Sequence, residues 1–168
     1  MSPADRFHVR PATVQDLEVL TDFSAAMALE TEQRTLDRAR LRLGTQAVFD
    51  QPARGQYYVA DLRHGPQDDT VTIGQLLITY EWSDWRNAQF WWIQSVYVHP
   101  AWRNQGVYRQ MHTTVLALAH SHPDVCGVRL YVERRNSIAK QVYTRVGLST
   151  SCYDIYEVDF VLPSHSLD

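Results

Sequence analysis

Residues 90–109, FWWIQSVYVHPAWRNQGVYR, constrain the chain more than any other stretch. Phe90 to Val98 is aromatic and β-branched, which suits a pleated, buried strand. His99-Pro100 ends it, because proline lacks the amide donor and fixes φ. Arg103-Asn104-Gln105-Gly106-Val107-Tyr108-Arg109 then leads into a helix whose Val107, Met111, Val115 and Leu118 share one face. A glycine at such an entry lets the backbone approach a ligand closely. The first helical amides have no intrahelical acceptor and the dipole makes that end positive, so the entry suits phosphate oxygens. The same glycine also serves as plain turn chemistry.

The rest of the chain supplies neighbours for that strand. Phe7-His8-Val9-Arg10 reads as a first strand, stopped by Pro11. Thr13 with Asp16 resembles a capping box, followed by a helix through Leu17, Leu20, Phe23 and Met27 to Leu29. A second helix is expected from Thr35 to Leu43, with Gly44 as its cap. Tyr57–Asp61 and Thr70–Tyr80 read as strands around a turn at His64–Asp69, with Gly74 marking a bulge or a close backbone approach. Residues 81–87 form a polar-aromatic loop before the strand at Phe90. After the helix from Val107 to His120, Val125–Val132 is a further strand, making a right-handed parallel crossover. Asn136 caps a last helix that ends at Gly147. Cys152–Val161, alternating and aromatic, is expected to be a long closing strand, with a frayed tail from Pro163.

This is an α/β chain of 168 residues, read as a single domain with its core at about residues 7–160. Its formal net charge of −3 argues against a nucleic-acid binder and against an electrostatic membrane anchor. No apolar run approaches a transmembrane span, and MSPADRFHVR lacks a signal peptide's apolar region. Cys126 and Cys152 imply no disulfide framework, so a cytoplasmic setting is expected. His120 and His122 lack a nearby third ligand, so no metal is expected.

Two motifs carry a family resemblance. Val98-x-Pro100-x-x-Arg103-x-x-Gly106-x-Tyr108 is similar to the Arg/Gln-x-x-Gly-x-Gly/Ala turn of the GNAT (Gcn5-related) N-acetyltransferases, with Tyr108 in place of a small residue. Asn136-x-x-Ala139-x-x-x-Tyr143-x-x-x-Gly147-Leu148 matches their second pattern at five fixed positions. The resemblance implies the GNAT fold: a mixed sheet with antiparallel N-terminal strands, a parallel splayed pair of fourth and fifth strands, and about four flanking helices.

It also implies transfer of acetyl from acetyl-CoA to an amine by direct attack, through a tetrahedral intermediate whose oxyanion needs a preorganised donor. Val96, Tyr97 and Val98 would then hold pantetheine and the oxyanion, as an added strand would be held. Arg103, Asn104, Gln105, Gly106, Val107, Tyr108 and Arg109 would hold the pyrophosphate, and Asn136 would also contact the cosubstrate. Tyr143 matches the family's acid, which protonates the leaving thiolate; its plainer reading is a core tyrosine on a helix face, and its spacing from Asn136 and Gly147 favours the acid.

A primary amine must lose a proton before it attacks. Where the similar polyamine acetyltransferases carry paired acids, this chain has Gln94-Ser95. Acids near the expected mouth are Glu30, Glu81, Asp84 and Glu133, each also readable as a solvated surface carboxylate. Glu81 leads as the base because it leaves the third strand beside the fourth, and a water wire from Gln94 or Tyr97 is the alternative. Glu30, Gln94 and Trp85 are the expected acceptor contacts. A small-molecule amine is the expected acceptor. The rival readings are a peptide or protein amine, and a GNAT-like acyl-CoA-binding or interaction module without turnover. A homodimer is expected, because long aromatic edge strands are usually covered.

Overall fold

A computed structural model describes residues 6–62 and 70–162. The turn expected at His64–Asp69 and the tail from Pro163 lie outside the described residues. β1 (Phe7–Pro11), β2 (Gln56–Leu62), β3 (Val71–Ser83), β4 (Ala88–Val98) and β5 (Val125–Arg129) form one sheet in that spatial order. β1 to β4 run antiparallel to one another in succession, and β5 is parallel to β4. α1 (Leu17–Glu32) and α2 (Arg38–Asp50) precede β2, α3 (Val107–Ser121) connects β4 to β5, and α4 (Ser137–Arg145) follows β5.

Strand alternation divides the core between the two sheet faces. Tyr58, Ala60, Leu76, Ile78, Trp91 and Ile93 pack with Val107, Met111, Val115 and Ala119 of α3. Tyr57, Val59 and Leu77 face the other way, onto Leu20 of α1 and Val48 and Phe49 of α2. Ala119 rather than Leu118 completes the α3 face, and Leu118 is 38% exposed.

Charged groups pin the start of α1. Asp16 accepts the Thr13 amide at 2.7 Å and two bonds from the Arg10 guanidinium, at 2.8 and 2.9 Å. Arg10 Nε donates to Asp61 at 2.6 Å, so one cation ties β1, β2 and the helix entry together. The Arg10 bonds hold the Asp16 carboxyl below its usual range, against the opposing effect of burial.

Several boundaries differ from expectation. α2 starts at Arg38, where Asp37 accepts the Arg40 amide at 2.9 Å, and it runs through Gly44 to Asp50. Packing of Val48 and Phe49 against the sheet outweighs the ~1 kcal/mol that an interior glycine costs. Residues 81–83 extend β3 against 88–90, so the loop shrinks to a turn at 84–87. Gly74 is the close approach expected of it: a Cβ there would meet the Tyr97 carbonyl at 3.1 Å and Met111 and Val107 at 3.3 Å. The larger correction concerns Cys152–Val161, which joins no sheet: the whole of residues 150–162 is exposed. Alternation marks a segment as fit for a ladder without saying which edge it meets.

Candidate functional site

The site begins where β4 leaves β5. Their ladder covers Gln89–Trp92 against Val125–Arg129, and from Ile93 onward β4 pairs with β3 alone. A cleft therefore opens between the end of β4 and the segment after β5. A bulge sits at the point of departure. Leu77 pairs with Gln94 and Gln75 with Tyr97, so β4 carries an extra residue, and Ser95 has φ +50°. Such an insertion bends the strand and frees backbone groups from the ladder.

Gln75 fixes the bulge. Its side chain is fully buried, and Nε2 donates to the Ser95 carbonyl at 3.3 Å and to Ser24 Oγ of α1 at 2.9 Å. The extra residue also reverses the facing of the strand beyond it. Tyr97 turns to the α1 side, its ring 5.0 Å from Phe23, while Val96 and Val98 pack toward the α3 core.

Past Pro100–Trp102, Asn104 and Gly106 have φ +61° and +89°. Left-handed residues in a turn gather successive amides on one side, an arrangement that binds anions. A Cβ on Gly106 would meet nothing within 4 Å, so glycine is required there by its dihedral angle and not by space. The amides of Val107, Tyr108 and Arg109 form the first turn of α3, and Arg109 is exposed there. Gln105 Nε2 donates to the Ala101 carbonyl at 3.0 Å, closing the turn.

Arg103 is more engaged than its motif suggests. Its Nε donates to the Val98 carbonyl at 2.9 Å, a terminal nitrogen pairs with Glu30 at 2.5 Å, and the guanidinium lies 5.4 Å from the Tyr97 ring. Tyr97 Oη donates to the same Glu30 carboxylate at 3.1 Å. Arg103, Glu30 and Tyr97 thus brace the end of α1, β4 and the loop against one another.

α4 brings in the second motif. Asn136 Oδ1 accepts the Ala139 amide at 3.0 Å, a helix cap. Tyr143 is half-buried with its ring edge-on to Tyr108, 5.6 Å between centroids, and Tyr108 lies 5.8 Å from His112. The unexpected tyrosine at position 108 therefore fills the space between the first turn of α3 and α4. Burial raises the Tyr143 phenol above its usual value, so it is protonated at neutral pH. Burial, and then Tyr143, raises Tyr108 further.

Two expected residues are not brought to this cleft. Glu81 accepts the Trp92 indole N–H and pairs with Arg129 at 2.8 Å. It lies opposite Phe90, roughly 16 Å along the strand from Ser95 at ~3.3 Å per residue. Trp85 lies farther still, in the turn, and is 85% exposed. Gln94 does stand at the cleft, donating to Thr79 Oγ1 at 2.6 Å and accepting from Tyr131 Oη at 3.4 Å. Tyr131, with its ring 5.9 Å from Trp92, was missed from sequence because nothing local shows where β5 parts from β4. Among the described residues no three His, Cys, Asp or Glu side chains converge as metal ligands. No helix among them is long and apolar enough to cross a membrane.

A sequence model described as the Acetyltransferase (GNAT) family matches residues 22–148. The fold is similar to that of a possible acetyltransferase from Clostridium difficile 630, at 32% identity and TM-score 0.84, covering 94% of this chain and 99% of that one. It is also similar to a ribosomal-protein-alanine N-acetyltransferase from Brucella melitensis biovar Abortus 2308, at 12% identity, TM-score 0.71 and coverage of 92% and 99%. An aminoglycoside N-acetyltransferase solved with CoA is similar at 14% identity, TM-score 0.70 and coverage of 92% and 95%. No curated protein matches the chain.

Proposed function

The chain belongs to the GNAT acetyltransferase family, and on that premise we propose that it transfers acetyl from acetyl-CoA to the primary amine of a small molecule by direct attack in a ternary complex. The observation that carries this reading is the combination of a bulged, one-sided strand end with a turn holding two left-handed residues and a protonated tyrosine beside the next helix start. Acetyl-CoA supplies the activated thioester. The residues present suit it: the open edge of β4 offers free backbone groups, and a Cβ-free Gly106 heads a helix whose first amides are unpaired within it.

Ser95–Val98 orient the thioester arm and turn an amide toward the developing negative oxygen. The Asn104–Arg109 turn and the α3 dipole hold the pyrophosphate. Arg103 shapes this turn through Glu30 and Val98 and does not serve as a free counter-ion. Tyr143 gives its proton to the departing sulfur. The amine's proton leaves through the Tyr97 hydroxyl to Glu30, which replaces Glu81 as the acceptor in this reading. Gln94 and Tyr131 position the amine by hydrogen bonds from the other side.

The acceptor class is tested by thiol release over a panel of small amines and lysine- or N-terminal-amine peptides. Small amines are expected to turn over. Release only with peptides would move the acceptor to a protein amine, and acetyl-CoA binding without release for any amine would sink the enzymatic reading. Tyr143→Phe should lower kcat by about 10²-fold with the KM for acetyl-CoA little changed, since general acids contribute ~10²–10⁴.

A further inference from the structure

α4 has little of its own to hold it in place. None of its residues is fully buried. Among the described residues, its side-chain hydrogen bonds stay within the helix and the loop before it. Asn136 caps Ala139, Lys140 donates to the Arg134 carbonyl, and Thr144 donates to that of Lys140. The ring contact that ties α4 to α3 is the one between Tyr143 and Tyr108. The place of Tyr143 therefore depends on a ring that α3 supplies.

Tyr108 is anchored on its own side. It packs against the core built by Val107, Met111 and Val115. His112 lies one helical turn further along the same face of α3, is 1% exposed, and has its ring beside that of Tyr108. The two do not satisfy one another. Tyr108 Oη and His112 Nε2 are both buried and have no hydrogen-bond partner among the described residues. Phenylalanine at position 108 would fill the same space without burying an unpaired hydroxyl, so the hydroxyl is a cost to the fold.

The charges around this pair are simple. Burial lowers the pKa of the His112 imidazole, which is neutral at pH 7 and brings no charge toward the two phenols. Burial also keeps Tyr108 protonated, and a negative charge on Tyr143 strengthens that hold. In the resting protein Tyr108 is thus a donor with nothing to donate to, in ring contact with the residue on which charge would develop.

We propose that Tyr108 is a positioning residue for Tyr143: its ring sets the Tyr143 ring, and its unpaired hydroxyl donates to the Tyr143 oxygen once that oxygen is negative. The inference rests on the reading of Tyr143 as the general acid. As the carbon–sulfur bond breaks, the Tyr143 proton passes to sulfur and its electron pair stays on the phenol oxygen. The Tyr108 proton remains on its own oxygen and is shared with that phenolate. Water then returns a proton to Tyr143, balancing the one that the amine gives up. A bond made only as charge develops lowers the barrier without tightening substrate binding.

The test removes the hydroxyl and keeps the ring. Tyr108→Phe should lower kcat by about tenfold with the KM for acetyl-CoA within about twofold, as expected for one hydrogen bond to a charged oxygen. In the Tyr143→Phe background the same change should have no further effect, because the phenolate is gone. Its Tm should not fall, since no resting hydrogen bond is lost. A second readout needs no acceptor. With Tyr143→difluorotyrosine in place, the phenol titration followed by fluorine NMR should move up by about one pH unit when Tyr108→Phe is added. Tyr108→Phe at the parent kcat with Tyr143→Phe slow, additive losses in the double variant, or a titration that stays where it was would each overturn this proposal alone. Tyr143→Phe at the parent rate would overturn the general-acid reading and this proposal with it.

Discussion

Gln75→Leu separates the stability of the fold from the geometry of the site. The two side chains are close in volume, so the change leaves no large cavity at this fully buried position. It removes two hydrogen bonds from Nε2, each worth about 1 kcal/mol net. The Ser95 carbonyl is left without that donor, at about 1–3 kcal/mol, while the Ser24 hydroxyl can turn back to its own helix. Against this, Gln75 Oε1 is buried with no partner among the described residues, and its removal relieves a cost of about 1–3 kcal/mol. The two effects of about 1–3 kcal/mol offset, leaving a net loss of about 2 kcal/mol, a fall in Tm of about 4–8 °C at ~2–4 °C per kcal/mol. Catalysis should suffer more. With the bulge unheld, the amide proposed to meet the developing oxyanion shifts, and a misplacement of ~1 Å costs about 10²-fold. Thermal melts paired with steady-state thiol release measure both quantities on the same preparation. Activity unchanged at a slightly lower Tm would refute the argument that Gln75 holds the catalytic backbone, and a loss above about 4 kcal/mol would refute the compensation from Oε1.

The two acids make a contrast: Glu30→Gln should lower kcat/KM by about 10²-fold, while Glu81→Gln should leave turnover within about threefold. A loss of about 10²-fold in Glu81→Gln with Glu30→Gln near the parent rate would reverse the assignment. Arg10→Met should destabilise by about 3–5 kcal/mol at pH 7, because Asp16 and Asp61 are left buried and charged, with side chains only 9% and 4% exposed. The Asp16 carboxyl is held below its usual range in the folded protein, so Arg10 contributes stability above the unfolded carboxylate value of ~3.9, and that contribution is lost as pH falls through the folded one. Melts of both proteins at pH 7 and at about pH 2, below the unfolded carboxylate value, should therefore show a gap that narrows in acid, and a constant gap would show that the packing of Arg10 matters more than its charge.

Much of the site was legible because it is built from short-range chemistry. Arg103, Gly106 and the start of α3 lie within one turn and one helix, and Asn136, Tyr143 and Gly147 lie within another, so spacing alone aligns them. The antiparallel strands and the parallel crossover were readable for the same reason, since hydrophobic period and proline and glycine punctuation act over a few residues. Contacts between distant segments were not readable in this way. The bulge at Ser95 exists only against the count of residues on β3, and Gln75 reaches it from a different strand. Glu30 met Arg103 across 73 residues, whereas Glu81, close to β4 in sequence, was carried to the far end of the hairpin and tied to Arg129. The arm at 150–162 has the alternation of a strand, but alternation says nothing about which edge lies within reach. Local backbone preference is encoded residue by residue, whereas register, strand divergence and ion-pair choice depend on how whole elements pack, and they become defined only when the sheet and its helices are assembled.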